Sequence, residues 1–145
     1  MGSSRDVPWW YWPLSGLALL WGLCACATYF LVLSGPAVDQ ATFYGELSAV
    51  RAAAGVVERS FYIIWAQLCL LGAVALLFRS FWAMFAYFVA LPVLFFSGWF
   101  ALFTKSLMAM GVPLSVLLVF VLALAVTGGW LWLSFMAVFR GWMRR

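Results

Sequence analysis

From Phe61 to Phe103 the chain runs for about forty residues with a single charged side chain, Arg79, followed by Ser80. As one helix this run would be roughly 65 Å long, twice the thickness of a bilayer's hydrocarbon core. A straight helix would also bury Arg79 near its middle, where a charge is expensive and seldom found unpaired. A break at Arg79-Ser80 removes both difficulties. The pair is therefore expected to be a tight turn that sets Arg79 among the lipid headgroups, with Trp82 anchoring beside it.

Composition leaves little room for any other class. Hydrophobic residues make up 68% of the 145, charged residues 8%, and the mean hydropathy is +1.11. Twelve charged side chains cannot clothe a soluble domain of this size, whereas a membrane protein needs no polar cover over its lipid-facing belt. The expected fold is an all-α integral membrane protein, a four-transmembrane-helix bundle forming one membrane domain over residues 1–145. The spans are expected at about 13–33, 61–78, 81–103 and 113–139, the second helped by Val56 and Val57 beyond Arg59. No cleavable signal peptide is expected, because the first apolar run is too long for an h-region and lacks a cleavage site.

The one sizeable segment outside the spans joins the first two. Gly35-Pro36 ends span one and Asp39 is suited to cap a new helix. Phe43, Leu47, Val50, Ala54, Val57 and Phe61 then recur at alternating spacings of four and three, with Glu46 and Arg51 off the stripe. This pattern predicts an amphipathic outer helix over 37–59, lying on or rising from the membrane and continuous with span two. A gate or substrate cap is the sharper alternative.

Orientation follows from the basic residues. Arg5, Arg79, Arg140, Arg144 and Arg145 share one side, against Arg51, Arg59 and Lys105 on the other, which places both termini in the cytoplasm. The tryptophans agree with the depths. Trp9, Trp10 and Trp12 in "PWWYWP" form an aromatic belt at the entry to span one, and Arg140 and Trp142 close span four at the same level. Clustered tryptophans also suit stacking on nucleic acid, but no basic groove accompanies them and the net charge of +4 is scattered, so no nucleic-acid partner is expected.

Chemistry has few places to reside. The chain has no histidine, which removes the commonest haem and zinc ligand, and no metal or cofactor is expected. Cys24 and Cys26 point to nearly opposite sides of a helix and cannot chelate together. They and Cys69 are expected to be small packing residues, with a disulfide from Cys69 to either left open. Within the spans the polar side chains are Thr28, Gln67, Ser97, Thr127 and Ser134. No nucleophile–base pair or phosphate loop exists, so no familiar enzyme chemistry is expected. If a neutral, hydroxyl-bearing solute binds, Gln67, Thr28 and Ser97 are its candidate contacts, below an outer mouth at Glu58 and Arg59. A lone glutamine at depth is otherwise a bond to a neighbouring helix or a carbonyl. Pro92 is placed to kink span three. Gly22 with Cys26, and "TGGW" at 127–130, are placed to bring spans close to a neighbour, whether within the chain, in a second copy or in another membrane protein.

Two stretches carry a resemblance. "LALLWGLCACATYF" at 17–30 and "ALLFRSFWAMFAYFVAL" at 75–91, with a chain ending in "RGWMRR", resemble a family of small four-span bacterial inner-membrane proteins commonly labelled sugar transporters. The resemblance covers most of the chain and implies a multi-pass inner-membrane location and transport of a small solute. It departs at Gly22, where the family often has asparagine. The segment "RAAAGVVE" at 51–58 is similar to the Arg-x-x-x-Asn-x-x-Glu pattern of the membrane-associated eicosanoid and glutathione metabolism enzymes. That likeness implies roles for Arg51 and Glu58 in a glutathione- or lipid-handling enzyme, but Gly55 replaces the asparagine and the later arginine-tyrosine motifs are missing.

Overall fold

Four helices account for the spans. The structure, a computed structural model, describes residues 7–30, 56–103 and 114–143, and within them the helices are α1 (Tyr11–Thr28), α2 (Val56–Leu77), α3 (Trp82–Phe103) and α4 (Leu114–Phe139). At a rise of 1.5 Å per residue they measure about 27, 33, 33 and 39 Å, enough to cross hydrocarbon about 30 Å thick. All four are long and apolar enough to span a membrane, and the described residues include no strand. The protein is an all-helical, multi-pass membrane protein. The break in the long apolar run lies where the buried-charge argument puts it, between Leu77 and Trp82. The outer amphipathic stretch expected over 37–59 lies outside the described residues up to position 55, and positions 56–59 begin α2.

Helix starts obey local rules. Pro13 sits in the first turn of α1, where the backbone N–H would have no intrahelical acceptor, so its missing donor is harmless. The Tyr11 N–H is taken instead by the Pro8 carbonyl at 3.0 Å. Just past the end of α1 the Tyr29 N–H is shared between the carbonyls of Ala25 and Cys26, and Tyr29 and Phe30 continue as a π-turn. In α3, Pro92 faces outward inside a continuous helix and has no N–H to give the Phe88 carbonyl.

Consecutive helices pack side by side, α1 on α2, α2 on α3 and α3 on α4. Lipid tails are as apolar as leucine, so hydrophobicity cannot draw these helices together, and close contact must do it. Each helix accordingly turns a row of mostly small residues inward at alternating steps of four and three. On α1 the buried row is Tyr11, Ser15, Ala18, Gly22 and Ala25, and on α2 it includes Ala66, Cys69, Ala73 and Leu76. On α3 it is Ala83, Tyr87, Ala90, Leu94 and Ser97, and on α4 it includes Ala123, Thr127, Ser134 and Ala137. This is the seam spacing of left-handed helix packing. Large residues such as Leu20, Leu71, Phe88, Val119 and Phe139 face outward, where lipid meets them.

Among the described glycines, the one set against a neighbouring backbone is Gly22. A Cβ there would lie 2.8 Å from the Leu70 Cα, so the backbones of α1 and α2 approach as only glycine permits. Gly72 likewise receives the ring of Tyr87 from α3. The "TGGW" glycines behave differently, because a Cβ at Gly128 or Gly129 would meet nothing within 4 Å. Thr127 is the member of that motif that packs inside. Gly22→Ala is therefore expected to destabilise the detergent-solubilised protein by about 1–3 kcal/mol through overpacking. Gly129→Ala should be neutral or slightly stabilising by helix propensity. Thermal melting of both variants checks the contrast, and equal tolerance would refute the close approach.

Candidate functional site

Among the described residues, a cluster of specific contacts lies at the end of the bundle shared by the start of α1, the α2–α3 turn and the end of α4. The turn is a Schellman motif, in which the Ser80 N–H donates to the Ala75 carbonyl at 2.8 Å and the Arg79 N–H to the Leu76 carbonyl at 2.9 Å. Its pivotal residue, Arg79, has φ 55°, the only positive value among the described non-glycine residues. The end of α4 repeats the motif with Gly141 at φ 70° and bonds from Gly141 to Val138 and from Trp142 to Ala137. Glycine adopts this backbone freely, whereas arginine does so at a cost.

The arginine side chain links the two motifs. Its Nε–H donates to the Trp142 carbonyl at 2.6 Å, joining the α2–α3 turn to the end of α4. Tyr11 brings in the third element, its hydroxyl donating to the Leu76 carbonyl at 2.8 Å. The Trp142 ring then meets Trp10 and Tyr11 edge-on at centroid distances of 5.4 and 6.2 Å, and the Arg140 guanidinium lies 5.3 Å from its centroid. Of the expected interface anchors, Trp9 and Trp82 are strongly exposed, Trp12 and Arg140 are exposed, and Trp10 and Arg79 are half-buried. Trp142 shares their level but is turned inward at 5% exposure.

At the opposite end α1 and α2 meet through aromatic rings. Tyr29 and Tyr62 stack at 6.4 Å, and Tyr62 meets Trp65 at 5.3 Å. The Tyr62 hydroxyl donates to the Ala25 carbonyl, and Trp65 Nε1 reaches Thr127 Oγ1 on α4, both at 3.4 Å. Thr127 in turn donates to the Ala123 carbonyl at 2.7 Å, so one hydroxyl both accepts and donates. Arg59, half-buried, lies one helical turn before Tyr62.

The polar residues singled out in the spans do not come together. Thr28 is exposed and donates to the Cys24 carbonyl of its own helix at 2.8 Å. Ser97 is buried on the inward row of α3. Gln67 lies on the outward face of α2, between the inward residues Ala66 and Cys69, and makes no side-chain hydrogen bond among the described residues. Among the described residues no hydrogen bond joins these three. The Glu58 side chain and Arg51 lie outside what is described. The three cysteines are free thiols, Cys69 buried on the α2 seam and Cys24 exposed. Tyr11, the hydroxyl-bearing member of "PWWYWP", is the contact that hydropathy and charge miss; its sequence signal is a tyrosine set among tryptophans at a helix start.

Comparisons with protein-family models, with curated proteins and with solved structures yield no match to this chain.

Arg79 poses a measurable contest between strain and bonding. Its left-handed backbone costs about 1 kcal/mol relative to glycine. A hydrogen bond from a charged donor contributes about 1.5–3 kcal/mol. Arg79→Ala loses the bond and keeps the strain, so it should melt lowest. Arg79→Gly loses the bond but relieves the strain, so it should fall between Arg79→Ala and the native protein. A glycine variant more stable than the native protein would show that the bond to Trp142 contributes less than the strain.

Proposed function

We propose that this protein is a small accessory or structural subunit of the bacterial inner membrane, with both termini in the cytoplasm, which works by meeting another helix in the bilayer. The supporting observation is how three of the four buried serine and threonine hydroxyls among the described residues are used. Ser15, Thr127 and Ser134, all buried, donate to carbonyls of their own helices, to Tyr11, Ala123 and Trp130 at 2.9, 2.7 and 2.8 Å. A carrier needs polar groups that turn toward a path and exchange partners with solute. Hydroxyls engaged with their own helix between close-packed small residues suit a dry bundle whose working surface is its outside. The inner-membrane location rests on the family resemblance, and the orientation on the five-to-three excess of basic residues at the Arg79 side.

A second reading, a carrier for a neutral, sugar-like solute, draws on the same resemblance and on one local feature. The stacked Tyr29 and Tyr62 rings, one turn inside Arg59, offer flat apolar faces and a hydroxyl to a solute entering at that end. The two readings separate in a thermal-stabilisation screen of purified protein across sugars, polyols, lipids and glutathione. The accessory reading expects no shift with any sugar or polyol, together with a fixed membrane partner on mild purification. A specific sugar that raises Tm, with the effect lost in Tyr62→Ala, would overturn it. The orientation is checked by a cysteine introduced at Ser3 after replacement of the native cysteines. It should resist membrane-impermeant reagents in intact cells, and labelling from the periplasm would reverse the topology.

A further inference from the structure

Gln67 is placed where no described residue of its own chain satisfies it. It lies 8 residues beyond Arg59 and 12 before Arg79. Those separations put it about 12 Å and about 18 Å along α2 from the two charged levels, deep within the hydrocarbon span. Its amide makes no hydrogen bond among the described residues, and its side chain is exposed on the outer surface of the bundle. Water satisfies an exposed amide in a soluble protein, but at this depth there is none, and a glutamine is too short to reach either headgroup layer. The other exposed polar residue of the same face, Ser60, has its hydroxyl bonded to the Val56 carbonyl at 2.8 Å. Gln67 stands alone.

Its neighbours on that face form a seam. Ser60, Ile64, Gln67, Leu71, Val74 and Phe78 are all exposed and follow one another at steps of four and three. This is the spacing along which two helices interlock, and a single polar residue in such a seam fixes register and partner number. We propose that the outward face of α2 pairs with α2 of a second copy of this chain, the two Gln67 side chains bonding to each other across a two-fold axis.

The choice of a second copy rests on the chemistry of the carboxamide. It carries a donor and an acceptor on one planar group, so two copies related by a two-fold axis satisfy each other with paired N–H···O bonds. A carboxylate or an ammonium in that place would repel its own symmetry mate. The flanking Ile64 and Leu71 complete the interface with side chains that interdigitate without charge. This pairing rests on the accessory reading above and gives the helix it meets an identity.

The test measures association of purified protein in liposomes, by energy transfer between donor- and acceptor-labelled copies over a range of protein-to-lipid ratios. The native chain should dimerise. Gln67→Leu, which replaces an outward amide with an outward apolar group and leaves the bundle interior untouched, should keep its melting behaviour. It should lower the dimerisation constant by roughly threefold to thirtyfold, the range measured for interhelical polar bonds in membranes. Gln67→Asn, which keeps the amide, should retain most of the association. Cysteines placed at Ile64 or Leu71 should cross-link copy to copy in native membranes. A native chain that stays monomeric at every ratio, or a Gln67→Leu variant that dimerises as the native chain does, overturns the proposal. A monomer whose cysteine at Leu71 cross-links to a different membrane protein overturns the pairing and leaves the accessory reading standing.

Discussion

The bond from Arg79 Nε to the Trp142 carbonyl ties together parts of the chain that are 63 residues apart. Its setting explains why a strained backbone persists there. The turn after α2 must reverse the chain within four residues at the edge of the hydrocarbon, and a Schellman motif achieves this with one residue in the left-handed region. Glycine would fit that residue without strain, as Gly141 does at the end of α4. Arginine gives what glycine lacks, a charged donor long enough to reach the neighbouring helix end while remaining at headgroup depth. Tyr11 bonds to the Leu76 carbonyl within the same turn, so the start of α1 is fastened to the same point. Three chain segments thus meet on one face of the membrane.

Beyond that face the bundle is held by size. In water, an amphipathic helix announces its buried side by polarity, but in hydrocarbon both sides of a helix are apolar. Inward positions are distinguished by being small, which lets backbones approach until dispersion contacts and backbone dipoles hold them. Gly22 against Leu70 is the extreme case, and the alanines of α2 and α3 extend it along the span. The few buried hydroxyls follow the same economy of space, since a serine or threonine bonded to its own helix fills little more volume than an alanine or valine. The amide of Gln67, by contrast, is on the outward face of α2.

What was legible in the sequence, and what was not, follows from this division. The break at Arg79-Ser80 and the four spans could be read because they depend on length and charge, which differ sharply between hydrocarbon and headgroup. The helix ends at Leu77 and Phe139 lie within a residue of the span ends expected from the sequence. The facing of residues within a span cannot be read from hydropathy: Gln67, which with Thr28 and Ser97 is a candidate contact only if a solute binds, lies on the outward face of α2 while Ser97 lies on the inward row of α3. A size pattern would have served better. The run Ser15, Ala18, Gly22, Ala25 is a row of small residues at seam spacing, visible without coordinates. Tryptophans at span ends usually face the headgroups, and Trp142 lies at that level, but its ring is buried against Trp10 and Tyr11.

The fastening of both helix ends to the Arg79 turn is tested most directly by a distance. Spin labels at Trp9 and Phe139, both outward-facing, report the separation of the start of α1 from the end of α4 without touching the contacts between them. Measured in lipid with the native cysteines replaced, the labels should give one narrow distance distribution in the chain that keeps Arg79. The distribution should broaden, with a longer component, when Arg79→Ala is added. A distribution that is already broad with Arg79 present, or that is unchanged by Arg79→Ala, would contradict the role given to this bond and leave the small-residue seams to hold the bundle alone.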